Sequence, residues 1–356
     1  MTHSGDKSFL GYLHSFRGFA IINIVYIHSV VAALVAIDSM NMGNPIALVN
    51  EVLFHDSTIY FAVISGVLFS IILKGKGYSR FYKSKVTNVI FPYIFITVIV
   101  TIFKVTNAEE TEQSEVLSYF TVLGRDLLYG KASGVFWYMP VLFFLYIVTP
   151  AVNFLINLKK VGHFFLVILI VAPLIISRVQ MAFDYILSIQ TMIYFTGAYT
   201  FGMFIGSNME ATLAKVKDHF LPLVIIALAT TSILTYLYVY DIDMIGFISL
   251  KETFFYIQKL ALTLIFIFLF QQSQHRQSRW LYRIADDSFA IYFIHSFFVF
   301  GGIPLFMFLL GFNEIAPFNT IIGSIVLFLF SVGISMGIVF LFRKLLGKKS
   351  RMLVGA

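Results

Sequence analysis

An arginine and a histidine stand inside the first apolar segment of this 356-residue chain. Arg17 opens the run Gly18–Ile37, and His28 follows eleven residues later. Ionisable groups are unstable in hydrocarbon, so a membrane span that keeps them usually needs them for transport, proton relay or catalysis. Helical rise puts His28 roughly 16 Å beyond Arg17 along the helix axis, with one group near a membrane face and the other near mid-depth. The pair is therefore the first candidate for a functional site.

Other ionisable groups lie in later apolar segments. His295 stands in the ninth segment, eight residues beyond Asp287, while Asp56, with His55 and Glu51, lies near the outer end of the second. The alternative role of a membrane histidine is an interhelical hydrogen bond, and Asp56 is interpreted as an interfacial carboxylate. The two mid-membrane histidines reach similar depth, so we expect their rings within about 12 Å of each other, facing the bundle interior.

The composition is that of an integral membrane protein. Hydrophobic residues make up 59% of the chain and charged residues 12%, with a mean hydropathy of +0.88, whereas soluble proteins average about 25% charged residues. We predict an all-α fold of about ten transmembrane helices, because ten runs are long enough to cross a hydrocarbon core. These runs are Gly11–Ile37, Val49–Leu73, Val86–Val105, Val135–Leu158, Phe164–Ile176, Ile189–Gly206, Phe220–Tyr240, Phe254–Phe270, Ile284–Leu310 and Asn319–Phe342. The fifth is short for a span, and an extension into Ser177–Ala182 would lengthen it.

The charge distribution predicts the orientation. The chain has 25 Lys and Arg against 18 Asp and Glu, a net charge of +7. If the N-terminus is cytoplasmic, most basic residues fall in inward segments and most acidic ones, such as Glu109, Glu110 and Glu112, in outward segments. The positive-inside rule then places both termini in the cytoplasm. The basic pI of about 9.3 follows from this topology, and nucleic acid is not expected as a partner.

The rest of the chain indicates one unit. We predict a single transmembrane domain over residues 1–356, without an appended soluble domain, as a multi-pass protein of the cell (inner or plasma) membrane. The largest outer loop is expected at Thr106–Gly134. Cysteine is absent, which excludes disulfides, thiolate metal sites and a cysteine acyl-enzyme. No metal site is predicted.

A basic and aromatic segment follows the second apolar run on the predicted inner side. Its members are Tyr78, Arg80, Phe81, Tyr82, Lys83 and Lys85. The positive-inside rule alone explains such a cluster. The functional interpretation is a dock for a phosphate-rich cytosolic cofactor, because the cations can hold phosphates and the rings can stack on a base. No Walker or glycine-rich dinucleotide signature accompanies the segment, so ATP and NAD are not predicted.

Five stretches form a more specific pattern along the chain. In order they are Ser15–Ser29, Phe61–Leu68, Phe81–Pro92, Phe136–Leu142 with Tyr146 and Pro150, and Ser288–His295. The first carries an arginine followed by ten residues and a histidine. Together they resemble the membrane-bound acyltransferase-3 family over nearly the whole chain.

The resemblance implies transfer of an acyl group, usually acetyl, from coenzyme A in the cytoplasm to a hydroxyl of a glycan or glycolipid outside it. The expected partners are the lipid bilayer, acyl-CoA and the acceptor. Acyl-CoA is a co-substrate, and no permanently bound cofactor is expected.

The same resemblance suggests roles for the candidate residues. His28, with an ordinary pKa near ~6.5, is the expected general base, or alternatively carries the acyl group transiently. Arg17 would hold the donor or stabilise developing negative charge, and His295 is a possible second site group. Donor phosphates are assigned to Arg80, Lys83 and Lys85. Pocket lining is assigned to Trp137, Tyr138, Tyr146 and Ser65.

The chain departs from the family pattern at two places. Members commonly have an aspartate three residues before the arginine, where this chain has His14. The basic pair that is often arginine is Lys83 and Lys85 here, and lysine lacks the bidentate fork of arginine.

The alternative from another class is a multi-pass transporter or flippase for a glycan or small solute. Arg17, His28 and His295 would then line a translocation path. A non-catalytic scaffold would explain neither buried histidine. Release of free coenzyme A from acetyl-CoA would separate an acyltransferase from both.

Overall fold

The computed structural model of the chain is a bundle of helices. It describes residues 5–36, 42–106, 115–178, 188–276, 278–310 and 317–355, and the protein is 88% helical. The helices in chain order are α1 (Gly5–Ala36), α2 (Pro45–Phe54), α3 (Thr58–Leu68), α4 (Tyr78–Lys85), α5 (Phe91–Thr106), α6 (Glu115–Tyr129), α7 (Tyr138–Asn157), α8 (Lys159–Val171), α9 (Ile189–Ser207), α10 (Met209–Asp218), α11 (Phe220–Val239), α12 (Leu250–Gln272), α13 (Arg279–Asp286), α14 (Ser288–Leu310), α15 (Pro317–Leu346) and α16 (Ser350–Val354).

The prediction of an all-α fold is confirmed. Within the described ranges, the strands are confined to a small hairpin between α11 and α12. Its strands β1 (Met244–Ile245) and β2 (Ile248–Ser249) pair antiparallel. A short π-helical turn at Phe69–Leu73 follows α3, and a second at Val86–Ile90 precedes α5.

Seven helical stretches in the described part are long and apolar enough to cross a membrane, or eight if a bent pair counts as one span. The seven are Gly11–Ala36, Pro45–Lys76, Tyr78–Thr106, Tyr138–Asn157, Phe220–Val239, Leu250–Gln272 and Thr320–Leu346. The bent pair is α13 and α14, which meet at 82°, and Lys160–Leu174 is a shorter apolar helix. The sixth predicted run forms α9, which is rich in glycine, threonine and tyrosine and is not among the seven. The ten-span count and the placement of both termini therefore stay predictions.

Three charged side chains are buried in the bundle. The described part of Thr106–Gly134 contains α6, whose Asp126 is fully buried against α5 and pairs with Lys104 at 3.1 Å. Lys259 is buried within α12. Arg178 is also buried. Other residues of these predicted segments, namely Glu109, Glu110, Glu112 and the end of the Ser177–Ala182 extension, lie outside the described residues.

The first helix is the centre of the bundle. α1 packs against α2, α3 and each of α12 to α15. It is apolar on nearly all sides, which is the pattern of a buried helix, and Phe16, Ala20, Ile21 and Val25 are fully buried. The helix that carries Arg17 and His28 is therefore fixed from several directions.

The backbones of α3 and α9 are in close contact. A Cβ added at Gly66 would collide with the Tyr199 carbonyl oxygen, and one at Gly202 would collide with the Val63 carbonyl oxygen. Ser70 Oγ donates to the Met203 carbonyl at 2.8 Å in the same interface. Small residues let two membrane helices approach until their backbones touch.

Replacing Gly202 with alanine should therefore separate α3 from α9 and lower the melting temperature of the purified protein in detergent. We expect the free energy of unfolding to fall by about 1–3 kcal/mol, because the added methyl group overpacks the interface. Gly323→Ala is the matched control, because a Cβ there meets nothing within 4 Å. Equal melting temperatures for the two variants would contradict the close-packing account.

Candidate active site

The two predicted membrane histidines are neighbours. The ring centroids of His28 on α1 and His295 on α14 lie 5.5 Å apart with planes tilted by 34°. His295 is fully buried, and His28 is half-buried beside Phe300 at 6.1 Å between centroids. The expectation that the two rings lie within about 12 Å of each other is thus confirmed. Their chemical roles are a separate question.

The hydrogen bonds of His295 define its tautomer. Nδ1 lies 2.9 Å from the carbonyl oxygens of both Ile291 and Tyr292 on its own helix. Carbonyl oxygens only accept, so we assign the proton of the neutral ring to Nδ1, which leaves a lone pair on Nε2. Nε2 is buried and has no hydrogen-bond partner among the residues that the structure describes. Ser331 Oγ, which donates to the His295 carbonyl at 3.0 Å, ties this turn to α15.

Arg17 lies where α13 meets α14. Its Nη2 donates to the carbonyl oxygen of Ala285, at the end of α13. Its Nε is buried without a hydrogen-bond partner in the described part of the chain. The α13–α14 bend is held from the other side by an ion pair of Arg343 with Asp287 at 2.6 Å. We call this end of the bundle the Arg17 end.

Sequence reasoning missed the carboxylate beside Arg17. Position 14 carries histidine instead of the family's aspartate, but His14 Nε2 lies 3.2 Å from Asp286 Oδ1 and 3.2 Å from the Tyr282 carbonyl. Asp286 also acts electrostatically on Arg17. The acidic group therefore comes from α13. The adjacent Asp286 and Asp287 near the start of the ninth run were the only signal in the sequence, and their neighbours in the chain give no indication that they contact α1.

The basic segment divides into exposed and inserted side chains. Arg80 and Lys83 are exposed on α4. Lys85 is half-buried, with Nζ 4.6 Å from the Tyr146 ring centroid and 5.5 Å from the Phe81 centroid. Lys85 also interacts electrostatically with Arg17. Of the three predicted phosphate ligands, the structure brings only Lys85 close to the candidate site.

The predicted pocket-lining residues lie in two places. Tyr138 and Tyr146 on α7 are buried, and neither hydroxyl has a hydrogen-bond partner within the described ranges. Tyr292 connects them to the histidines, because it interacts with Tyr138 and its ring lies 6.2 Å from that of His295. Trp137 is half-buried just before α7 and packs on Phe195. A half-buried Ser65 on α3 makes no side-chain hydrogen bond to a described residue.

A second polar cluster surrounds the break between α2 and α3. Asp56, at the break, has a left-handed φ of 55° and a side chain only 5% exposed. Its Oδ2 accepts from Arg178 Nη2 at 2.7 Å and from the Tyr194 hydroxyl at 2.8 Å. Arg178 Nε donates to Glu252 Oε1 at 2.8 Å. Asp56 is thus buried inside the bundle and held by an ion pair, and its position at a membrane interface stays a prediction.

This cluster stabilises the charge of Arg178. Burial disfavours the guanidinium, but the carboxylates of Asp56 and Glu252 outweigh it, so the pKa of Arg178 is raised above its ordinary value. Next to the cluster, His55 Nδ1 lies 2.8 Å from Glu51 Oε1, which also accepts from the Tyr238 hydroxyl at 2.9 Å.

The same break frees backbone carbonyls, and α12 supplies their donors. Lys259 Nζ donates to the Leu53 carbonyl at 2.7 Å, and Gln258 Nε2 donates to the Val52 carbonyl at 3.2 Å. Both α12 side chains are fully buried. Non-helical backbone at membrane depth is stable only when the protein satisfies it, so Lys259 and Gln258 have a structural role.

The comparison with protein families agrees with this architecture. The model of the acyltransferase-3 family, described as an acyltransferase domain, matches residues 10–343. The chain belongs to this family and is a membrane acyltransferase. No curated protein and no solved structure significantly matches the chain.

The site offers cations for an anionic ligand more readily than ligands for a metal. In the described part of the chain, no three His, Cys, Asp or Glu side chains are grouped so that they could hold a metal ion. Arg17 and Lys85 are two side chains that could hold a phosphorylated ligand at the Arg17 end.

Replacing Asp56 with asparagine should destabilise the protein strongly, because it leaves Arg178 with one carboxylate fewer in a buried site. Breaking a buried ion pair lowers the free energy of unfolding by about 3–5 kcal/mol. Asp241→Asn is the matched control: its φ is also left-handed at 50°, but its side chain is fully exposed at 100%. Thermal unfolding in detergent should show a large drop for Asp56→Asn alone, and similar curves would refute the ion-pair assignment.

Proposed function

We propose that the protein transfers an acyl group, most often acetyl, from acyl-CoA in the cytoplasm to a hydroxyl of a cell-surface or exported glycan. The observation that carries the proposal is the pair of neighbouring imidazoles in the core of an acyltransferase bundle, one with a buried and unpartnered Nε2. A buried ring nitrogen of this kind is suited to receive a proton from a ligand.

The proposed reaction needs one proton to move. The acceptor hydroxyl oxygen attacks the thioester carbonyl carbon, the carbon–sulfur bond breaks, and coenzyme A leaves as a thiolate. His28 takes the hydroxyl proton during attack and returns it to the thiolate. In the two-step alternative His28 carries the acyl group before the hydroxyl takes it. The His295 ring packs beside the His28 ring, with 5.5 Å between centroids, and its role is to position His28.

The donor would enter from the Arg17 end, which we propose faces the cytoplasm. Lys85 stands at this end above Tyr146, and the buried hydroxyls of Tyr146, Tyr138 and Tyr292 follow from there toward His295. These groups can line a polar route for the thioester arm while Arg17 and Lys85 hold its phosphates.

Replacing His28 with alanine should reduce transfer by about 10²–10⁴-fold, the usual effect of losing a general base. The measurement is release of free coenzyme A by purified protein supplied with acetyl-CoA and exported glycans. His219→Ala is the control, because His219 is exposed and bonds only its own helix. His295→Ala should also impair transfer without lowering expression.

A His28→Ala variant that keeps more than about a tenth of wild-type activity would show that His28 is not the base. Wild-type protein that moves a glycan or small solute across vesicles without releasing coenzyme A would support the transporter alternative.

The two lysines of the basic segment should differ in their effect on the donor. Lys85→Ala should raise the KM for acetyl-CoA and weaken inhibition by free coenzyme A, because Lys85 lies close to Arg17 and Tyr146. Lys83→Ala removes the same charge from an exposed position and is the matched control. Equal donor kinetics in both variants would mean that the basic segment reflects only the positive-inside rule and does not bind the donor.

A further inference from the structure

The last helix of the chain is docked on the Arg17 end. α16 packs against α5, α14 and the π-helical turn Val86–Ile90 that follows Lys85. Val354 is buried, and Gly355, with a left-handed φ of 79°, ends the helix against α14, where its Cβ position would lie 3.3 Å from Phe289 Cβ. The position of this short helix is therefore fixed by apolar contacts, which place its polar residues at the Arg17 end.

Docking α16 brings Arg351 to the site. The exposed Arg351 and the half-buried Lys85 both interact electrostatically with Arg17, and like charges disfavour one another. Arg351 makes no ion pair or side-chain hydrogen bond with a described residue. Packing of α16 beside the turn that follows Lys85 thus places three electrostatically interacting cations, from α1, α4 and α16, at the end where Arg17 Nε is buried without a hydrogen-bond partner among described residues.

The carboxylates at this end have other partners. Asp286 pairs with His14 at 3.2 Å, and Asp287 pairs with Arg343 at 2.6 Å. Both carboxylates stabilise the positive charge of Arg17, but neither forms an ion pair with Arg351 or Lys85. Apolar packing keeps these like charges near one another, and their mutual repulsion is unfavourable. Binding of an anion with several negative groups would offset this repulsion.

We propose that Arg351 is a donor-binding residue, and that α16 completes a phosphate site whose other members are Arg17 and Lys85. The ligand is the phosphorylated nucleotide end of coenzyme A, so the inference rests on the proposed function. Arg351 supplies a planar fork that lysine at positions 83 and 85 cannot offer, and a guanidinium binds phosphate through two parallel hydrogen bonds.

The test is binding of free coenzyme A to the purified full-length protein, measured by calorimetry in detergent. Arg351→Ala should weaken binding about 10-fold, the effect of one lost charge-assisted hydrogen bond, and Arg351→Lys should fall between it and the wild type. Lys349→Ala, an exposed charge in the same segment, should bind like the wild type.

A second probe separates phosphate recognition from loss of folding. Adenosine 3′,5′-bisphosphate carries phosphates of coenzyme A without its thiol arm, and it should compete with coenzyme A on wild-type protein but poorly on Arg351→Ala. Acetyl-pantetheine lacks the nucleotide and should be used equally by both proteins. Arg351→Ala binding that matches Lys349→Ala would overturn the inference, as would wild-type protein that does not bind coenzyme A. Wild-type protein that binds coenzyme A but transfers no acyl group would overturn the proposed function alone.

Discussion

Hydrocarbon offers no hydrogen-bond partner, so each polar group inside this bundle must be satisfied by the protein or by a ligand. Around the α2–α3 break the protein itself does so: Asp56 and Glu252 hold Arg178, while Lys259 covers a freed carbonyl. At the His28–His295 pair and the Arg17 end, buried polar atoms stay unpartnered among the described residues. The first cluster is therefore architectural, and the second is where substrates are expected.

The central position of α1 connects these two regions. Its N-terminal half carries Arg17 against the α13–α14 bend, and its C-terminal half carries His28 against α14. Because α1 is packed on six other helices, the distance between the cation and the imidazole is set by helix geometry and not by a loop. A donor anchored at one and reacting at the other would need a long, flexible arm, which is the shape of the pantetheine part of coenzyme A.

The sequence was informative where a residue type is rare in its surroundings. Ionisable side chains in apolar runs are conspicuous, so Arg17, His28 and His295 could be selected, and helical rise alone brought the two histidines to one level. The all-α fold followed from composition. Lys85 could not be distinguished from Lys83 in the same way, because the insertion of one side chain above Tyr146 depends on how α4 and α7 pack.

Contacts between distant segments could not be predicted from the sequence either, because they too depend on how the helices pack. The ion pair of Asp56 could not be predicted, because its partner Arg178, which also binds Glu252, lies far along the chain. Asp286 beside His14, and Arg351 beside Arg17, likewise arise only when α13 and α16 dock on the bundle.

The central claim is that an acyl group enters at the Arg17 end and leaves on the opposite side. Membrane vesicles of both orientations, carrying the protein and its native glycans, can be supplied with acyl-labelled coenzyme A that does not cross the bilayer. The account predicts label on glycans inside inverted vesicles, whose cytoplasmic face is outward, and none in right-side-out vesicles. Labelled glycan only in right-side-out vesicles, or release of coenzyme A without labelled glycan in either, would contradict it.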